Sequence, residues 1–388
     1  MLITLSCKLQ PEPAQKGELL RTIERLNATC NWIAGIAITI RSANKHKLQK
    51  FVYRELRERF GISAQMAVRA IAKVCEVYKR DKTVRPRFRA RGAVQYDQRI
   101  LSWKGTDEVN ILTLDGRRRI RVKMGQWQRE HFRNICGQAD LIYRKGRFYL
   151  SVVVKQEEQE PFRPEGVIGV DVGIVNLAVD SEGWTYKGGC VDAVRVRTER
   201  LKAVLQRTGT KSAKRHLRGI ADRESRFRRH ENHVISKRLV ARAKDTRRAI
   251  ALENLEGIRA RTTVRRSQRR RQFSWAYHQL REFVVYKARI AGVPVKLVPP
   301  RGTSHECPRC RHEQKANRKT RDEFECRRCG LAGPADHIAA VNIAARAAVN
   351  RPIVPGNFVG GSSPPQEQLA PLGGIPLPLK GSWFTPVS

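Results

Sequence analysis

The sequence reads Cys307-Pro-Arg-Cys310 and Cys326-Arg-Arg-Cys329, and at residues 334–342 it continues Pro-Ala-Asp-His-Ile-Ala-Ala-Val-Asn. Fifteen residues separate the two cysteine pairs, which is the spacing of a metal-binding ribbon. Four thiolates in this arrangement close a tetrahedral zinc site and leave no position open for a substrate. The sequence therefore predicts a structural Zn²⁺ bound by these four cysteines, with an acid, Asp336, seven residues beyond the last of them.

The chain is strongly basic. Its 388 residues, enough for two or three domains, hold 77 Lys and Arg against 36 Asp and Glu, a formal net charge of +41. Solubility needs a far smaller imbalance, so the excess indicates a polyanionic partner, with nucleic acid as the leading candidate. An anionic membrane is disfavoured because no apolar run approaches ~20 residues. Residues 1–9 alternate like a strand and lack the pattern of a signal peptide.

Five further cysteines are scattered along the chain. An odd, scattered set is not typical of a disulfide framework and favours a reducing compartment, with each thiol acting as a small buried hydrophobe. The five are Cys7, Cys30, Cys75, Cys136 and Cys190.

The hydrophobic pattern divides the chain into five parts. Residues 1–10 and 86–163 read as an all-β module with a hairpin turn at Asp115-Gly116, and residues 11–85 as a helical insertion. A second unit spans 164–302 and 335–350, interrupted by the cysteine ribbon at 303–334. Residues 351–388 are rich in Pro and Gly and read as a disordered tail.

Three acids stand out from their surroundings. Asp171 lies within an apolar strand, and Glu253 ends the apolar run at residues 249–252. Taken singly, each is explained by a turn cap or a solvated strand end, and Asp336 by a helix N-cap. Together, two acids on adjacent strands and a third at a nearby helix start can bind hard divalent cations. Two Mg²⁺ ions about 4 Å apart would then support phosphodiester hydrolysis, with Asp171 bridging both.

Three stretches around these acids resemble the RuvC-type motifs of TnpB, the transposon-encoded RNA-guided nucleases related to compact type V CRISPR effectors. They are Gly169-Val-Asp-Val-Gly-Ile-Val-Asn-Leu-Ala178, Leu252-Glu-Asn-Leu255 and Ala335-Asp-His-Ile-Ala-Ala-Val-Asn-Ile343. The cysteine ribbon resembles the TnpB zinc ribbon inserted before the last catalytic acid. Two residues depart from the family pattern: Arg311 stands where Gly is usual and Ile338 where Asn is usual. Neither removes a ligand.

The resemblance implies a multi-domain α+β protein. An N-terminal β-barrel (wedge) would carry an inserted helical recognition domain, followed by a RuvC/RNase H-like α/β nuclease domain with an inserted four-cysteine zinc ribbon and a disordered C-terminal tail. It implies an Mg²⁺-dependent, RNA-guided DNA endonuclease that reads a short flanking DNA motif and cleaves guide-matched DNA. Asp171, Glu253 and Asp336 would be its catalytic, magnesium-binding residues. Guide RNA and target double- and single-stranded DNA would be its partners, in the prokaryotic cytoplasm at the nucleoid.

Basic clusters are the expected phosphate contacts, because backbone contacts to two nucleic acids need many cations. Arginines at alternate positions between residues 85 and 91 can share one face of a strand. A second group lies between the first two acids, and a third in an arginine-dense loop. The residues are Arg85, Arg87, Arg89 and Arg91; Lys211, Lys214, Arg215 and Arg218; and Arg265, Arg266, Arg269, Arg270 and Arg271. The aromatic residues Trp32, Tyr53 and Trp103 are instead predicted to pack in a core.

Other functions remain open at this level. A compact type V CRISPR effector has the same motifs, and a catalytically silent RNA-guided DNA-binding repressor has the same charge. An actin-like ATPase is suggested by Gly169-x-Asp171-x-Gly173, although the sequence near Glu253 lacks a second Gly-rich phosphate loop. A plain zinc-ribbon nucleic-acid-binding protein leaves the two strand acids unexplained.

Overall fold

The computed structural model describes residues 1–80, 86–255 and 277–349. These residues form two compact units, Met1–Glu157 and residues 158–349. The predicted tail at 351–388, Arg85, and the arginine cluster Arg265, Arg266, Arg269, Arg270 and Arg271 lie outside the described residues.

The first unit contains a seven-stranded, barrel-like antiparallel sheet. Its order is β2-β6-β7-β1-β5-β4-β3, and Gly116 forms the predicted hairpin between β4 and β5 with a φ of 103°. The strands are β1 (Leu2–Gln10), β2 (Val94–Tyr96), β3 (Leu101–Lys104), β4 (Glu108–Thr113), β5 (Gly116–Lys123), β6 (Ile135–Arg144) and β7 (Arg147–Lys155). A short helix, α4 (Gln126–His131), joins β5 to β6.

Three helices follow β1, as the periodic apolar pattern predicted. They are α1 (Pro13–Thr39), α2 (Lys45–Phe60) and α3 (Ala64–Arg80). Asn44 caps α2 by accepting from the N–H groups of His46 and Lys47, and Gly61 ends it in the left-handed conformation. The apolar faces of the three helices join the core of the first unit. Trp32, Tyr53 and Trp103 pack against that core, which confirms their predicted role.

The prediction of a strand around residues 85–91 is wrong for the described residues 86–91. Residues 86–89 and 92–93 have no regular secondary structure and residues 90–91 form a turn, so the segment does not join the sheet. Their backbone groups are satisfied by two asparagines of α1: Asn31 exchanges hydrogen bonds with the N–H and carbonyl of Phe88, and Asn27 donates to the carbonyls of Ala90 and Gly92. The side chains still alternate between core and solvent: Phe88 faces the core, and Arg87 and Arg89 are exposed.

The second unit contains a mixed five-stranded sheet in the order β10-β9-β8-β11-β12. Strands β8, β11 and β12 are parallel, and β9 and β10 are antiparallel to their neighbours. The strands are β8 (Gly166–Asp171), β9 (Asn176–Asp180), β10 (Thr185–Lys187), β11 (Arg248–Glu253) and β12 (Val295–Val298). The helices are α5 (Gly189–Thr208), α6 (Lys211–Ile220), α7 (Arg223–Asp245), α8 (Tyr277–Ala291) and α9 (Ala335–Val349).

Between β12 and α9 lies the ribbon. It holds a short 3-10 helix, Lys315–Asn317, and the antiparallel pair β13 (Glu323–Glu325) and β14 (Ala332–Pro334). Its small core contains Cys307, Phe324, Cys326, Ala335 and Ile338.

Helix α9 packs directly on β8 at Gly169. A Cβ added to Gly169 would lie 2.1 Å from the carbonyl oxygen of Ala340 and 2.4 Å from the backbone nitrogen of Ala344. Such a contact is possible only for glycine, so this residue sets how closely helix and sheet approach. The packing brings the start of α9, with Asp336, to the strand that ends in Asp171.

Two expectations about the cysteines and one about the acids need correction. Cys7, Cys30 and Cys75 are buried as predicted, but Cys136 is half-buried and Cys190 is exposed. Cys136 lies at a register shift in β6, and Cys190 in the first turn of α5, so neither side chain is directed into a core. Asp171 ends its strand and does not lie within it.

None of the described helices is long and apolar enough to cross a membrane.

Candidate active site and zinc ribbon

Asp171 and Glu253 end two neighbouring parallel strands. The register pairs Val170 of β8 with Leu252 of β11, so the two acids that follow are lateral neighbours. Carboxyl ends of parallel strands share one edge of a sheet, which is where open α/β sheets bind ligands. The predicted adjacency of these two acids is therefore present.

Asp336 is the second residue of α9, so it is not the N-cap of that helix. Its Oδ2 accepts a hydrogen bond of 2.9 Å from Asn176 Nδ2 at the start of β9. Its Oδ1 lies 3.4 Å from Arg318 Nη2, which comes from the ribbon. The carboxylate is thus held from the sheet on one side and from the ribbon on the other.

The three carboxylates interact electrostatically. Burial, followed by the charges of Glu253 and Asp336, raises the pKa of Asp171 to about 7, while Arg318 opposes the shift. Burial also raises the pKa of Glu253, opposed by a hydrogen bond from the Thr303 hydroxyl and by Arg346. Ionising all three acids is unfavourable without a compensating cation, and oxygen donors of this kind fit a hard divalent ion.

The four ribbon thiols are gathered more tightly than the acids. Within the described ranges, they form the group of His, Cys, Asp or Glu side chains whose ligand atoms all lie within 4.8 Å of one another. Cys307 Sγ lies 3.6 Å from Cys329 Sγ, and Cys310 Sγ lies 3.5 Å from Cys326 Sγ. Zn–S bonds of about 2.3 Å fit such a cluster. The donor set therefore fits zinc, as the spacing predicted.

The backbone conformation of the ribbon is less favourable for Arg311 than for the glycine that is usual at this position in the family. Each cysteine pair closes a turn in which the fifth residue donates to the first carbonyl, Arg311 to Cys307 and Gly330 to Cys326. Both donors are left-handed, with φ of 60° at Arg311 and 72° at Gly330. Glycine reaches this conformation without a Cβ penalty, whereas arginine does not. Arg311 retains an ion pair with Glu306 at 3.2 Å.

Ile338, the second departure, is a packing residue. It is buried and joins the ribbon core beside Cys307 and Phe324. An apolar side chain suits this position, so isoleucine here links α9 to the ribbon by hydrophobic contact.

Sequence reasoning missed three residues that contact the acids: Asn176, Thr303 and Arg318. Asn176 lies inside the first of the three quoted motifs, and Thr303 and Arg318 lie in the cysteine ribbon at 303–334. Their roles depend on tertiary contacts across long separations, such as Asn176 with Asp336, which spacing along the chain does not encode.

The basic residues predicted on the insert are exposed. Lys211, Lys214, Arg215 and Arg218 all lie on α6, and Arg87 and Arg89 are exposed in the first unit. Arg91 is also exposed and forms an ion pair with Glu24 at 2.8 Å. None of these observations tests a nucleic-acid contact, which stays a prediction.

A further basic surface, on the sheet of the first unit, was not predicted. Strand β5 exposes cations at alternate positions, and Lys8 of β1 pairs with Lys123 across the sheet. Partial desolvation lowers the pKa of Lys8, and the positive charges of Arg147 and Lys123 lower it further. We call this surface the basic sheet face; it comprises Lys8, Arg117, Arg119, Arg121, Lys123 and Arg147. The run Arg-Arg-Arg-Ile-Arg-Val-Lys at 117–123 was its available signal.

Two family models match two separate stretches of the chain. Residues 151–257 match OrfB_IS605, described as a probable transposase, and residues 277–343 match the Cas12f1-like TNB domain. The second match includes the ribbon and Asp336.

The chain is also similar to named relatives. It is 30% identical over 184 residues to the CRISPR-associated endodeoxyribonuclease Cas12f1 of Syntrophomonas palmitatica, covering 43% of this chain and 36% of that protein. It is 23% identical over 309 residues to InsQ of Escherichia coli, whose name contains the words RNA-guided DNA endonuclease, covering 72% of this chain and 73% of InsQ. It is 24% identical to the TnpB-like protein MJ0751 of Methanocaldococcus jannaschii, covering 52% of this chain and 79% of that protein.

The chain spans only about a third to a half of the Cas12f1 relatives, 36% of one and 50% of another. A solved Cas12f1–sgRNA–target DNA complex aligns with 89% of this chain at 14% identity and a TM-score of 0.39. The sequence matches, taken together, confirm the resemblance to the TnpB family that the three motifs and the ribbon indicated.

Proposed function

We propose that the chain is an RNA-guided DNA endonuclease whose catalytic residues are Asp171, Glu253 and Asp336. The observation that carries this proposal is the shared position of the three acids, at the ends of β8 and β11 and the start of α9, where burial and mutual repulsion raise the pKa of Asp171 to about 7. The names of relatives, which include RNA-guided DNA endonuclease and CRISPR-associated endodeoxyribonuclease, support the substrate class.

The three acids would hold two Mg²⁺ ions. When bound, magnesium activates a water and stabilises the leaving oxygen of a phosphodiester. The protein's own residues orient the carboxylates: Asn176 and Arg318 hold Asp336, and Thr303 holds Glu253. Arg318 also places a positive charge beside the acids, where a scissile phosphate would lie.

The zinc ribbon, residues 303–334, would be structural and would support Asp336. Residues 1–10 and 86–163 would be the wedge barrel, 11–85 the recognition insert, and 164–302 with 335–350 the nuclease domain. These assignments rest on the resemblance and on the order of elements along the chain.

Guide RNA and target DNA are the proposed partners. A net charge of +41 supports two polyanions, because each neutralised phosphate requires a nearby cation. The candidate contacts among the described residues are the exposed cations of α6, Arg87 and Arg89, and the basic sheet face. The predicted location of the protein, in the prokaryotic cytoplasm at the nucleoid, stays a prediction.

A compact type V CRISPR effector is the second candidate, favoured by the 30% identity to Cas12f1 of S. palmitatica. The two candidates differ in their RNA. A transposon enzyme would carry RNA transcribed from the element's end, whereas an effector would carry RNA with CRISPR repeats. A catalytically silent binder is disfavoured because all three acids are present.

The experiment is to express the chain with its native flanking DNA, purify the protein and sequence the RNA that co-elutes. Plasmids with and without a matching target are then incubated with the complex and Mg²⁺. We expect a defined RNA and cleavage of the matched plasmid. Asp171→Ala should lower cleavage by at least about a thousandfold and retain the RNA, because it removes a metal ligand and leaves the basic surfaces unchanged. Full cleavage by this variant, or no defined RNA, would contradict the proposal.

A further inference from the structure

Thr303 connects the acid Glu253 to the beginning of the ribbon. It lies after β12 and four residues before Cys307, and its side chain is 2% exposed. Its hydroxyl donates a hydrogen bond to Glu253 Oε1. That bond engages one of the two carboxylate oxygens and restricts the rotation of the Glu253 side chain.

The loop around Thr303 is anchored to α9. Asn342, which is fully buried at 0% exposure, donates from Nδ2 to the carbonyls of Thr303 at 2.8 Å and Glu306 at 2.7 Å. One turn further along α9, Arg346 donates to the carbonyl of Pro299 and pairs with Glu306 at 2.7 Å. Asp336 lies on the same helix, so the two acids are joined through α9 and this loop.

The same loop is continuous with the zinc site. Gly302 has a φ of 77°, and a Cβ there would lie 2.6 Å from Glu313 Oε1. Glu306 forms a β-bridge with Glu313 and is followed directly by Cys307. The turn that presents Thr303 is therefore packed against the first cysteine pair.

We propose that Thr303 is a positioning residue for Glu253, and that the zinc ribbon and Asn342 fix Thr303 for this purpose. With Oε1 held by the hydroxyl, Oε2 is left to bind a divalent cation. Partners that orient a metal ligand typically change metal affinity or activity by about 10- to 100-fold when removed. This inference rests on the proposed function, since it assumes that Glu253 binds the metal.

A purely structural role for Thr303 is the alternative, because its hydroxyl also lies 3.0 Å from the Pro300 carbonyl. The test compares Thr303→Val, which keeps the shape and removes the hydroxyl, with Thr303→Ser, which keeps the hydroxyl. Thr113→Val is the matched control: Thr113 is 3% exposed and donates to the Gly116 carbonyl at 2.8 Å in the first unit.

Each zinc-loaded variant is titrated with Mn²⁺, and binding is detected by the loss of the EPR signal of free Mn²⁺. The single-turnover cleavage rate of each variant is then measured with guide RNA. We expect Thr303→Val to weaken Mn²⁺ binding about tenfold and to slow cleavage by a similar factor. Thr303→Ser should stay within about twofold of wild type, and Thr113→Val should match wild type in both measurements. Thr303→Ala gives the same comparison if the valine variant does not fold.

Wild-type Mn²⁺ affinity in Thr303→Val and Thr303→Ala would overturn the inference and leave the proposed function standing. Equal losses in the serine and valine variants would also overturn it, since the hydroxyl would then not be the cause. If wild type and Asp171→Ala bind Mn²⁺ equally, the proposed metal site itself fails and the inference fails with it.

Discussion

The cysteine ribbon and the acid edge lie in the same unit and are assembled in opposite ways. The ribbon thiols come from two local turns, each spanning four residues, and all four lie within 4.8 Å of one another. The acid edge draws Asp171, Glu253 and Asp336 from two strands and a helix that are separated by up to 165 residues of chain. Thiols are neutral when protonated and can approach closely, whereas ionised carboxylates repel one another. The first site depends on local turns, and the second on tertiary packing.

This difference predicts that a packing change far from any ligand can destroy the acid edge. Gly169→Val should cause the largest effect, because even the first added carbon would lie 2.1 Å from the Ala340 carbonyl oxygen. Forcing α9 away from β8 should destabilise the second unit by roughly 3 kcal/mol or more and abolish cleavage. Urea unfolding and plasmid cleavage measure the two effects.

Gly219→Ala is the control for a glycine replacement. Gly219 lies within α6, and an added Cβ would meet nothing within 4 Å. Alanine should stabilise that helix by up to about 1 kcal/mol and leave cleavage unchanged. If Gly169→Val had the same urea midpoint of unfolding as wild type, the packing argument for the acid edge would be wrong.

The second prediction concerns repulsion at the acid edge in magnesium-free buffer with zinc retained. The pKa of Asp171 is about 7 in the folded chain against an ordinary value of 3.8. Because the folded pKa is raised, ionising Asp171 costs stability; the loss begins above pH 3.8 and is complete above about pH 7. Asp171→Asn should therefore raise the free energy of unfolding by roughly 1–3 kcal/mol at pH 8, and by much less at pH 5.

Thermal unfolding across pH 5 to 8 tests this, with Asp115→Asn as the matched control. Asp115 lies in an exposed turn and pairs with Arg21 at 2.7 Å, so its neutralisation should not stabilise the protein. A pH-independent difference between wild type and Asp171→Asn would remove repulsion as the explanation.

The same contrast explains how much the sequence could predict. The clustering of the four ribbon cysteines, the strands that carry Asp171 and Glu253, and the helix at Asp336 follow from spacing and periodicity, and the structure contains all of these elements. The strand expected at 85–91 failed because Asn27 and Asn31 supply its hydrogen bonds from α1, which local alternation cannot reveal. Thr303 and Asn176 were missed for the same reason: their partners are 50 and 160 residues away.

The smallest predicted effect concerns the ribbon, where local geometry should decide the outcome. Arg311→Gly removes a Cβ from a residue with a φ of 60° and should stabilise the ribbon by about 0.5–1 kcal/mol. The lost ion pair with Glu306 offsets little, because Arg311 is largely exposed and Glu306 keeps its pair with Arg346. The measurement is zinc retention against a chelator, in which Arg311→Gly should release zinc a fewfold more slowly than wild type and Arg311→Ala should not. Faster release from the glycine variant would mean that the Glu306 pair outweighs the backbone strain, and that the ribbon too depends on contacts beyond its own turns.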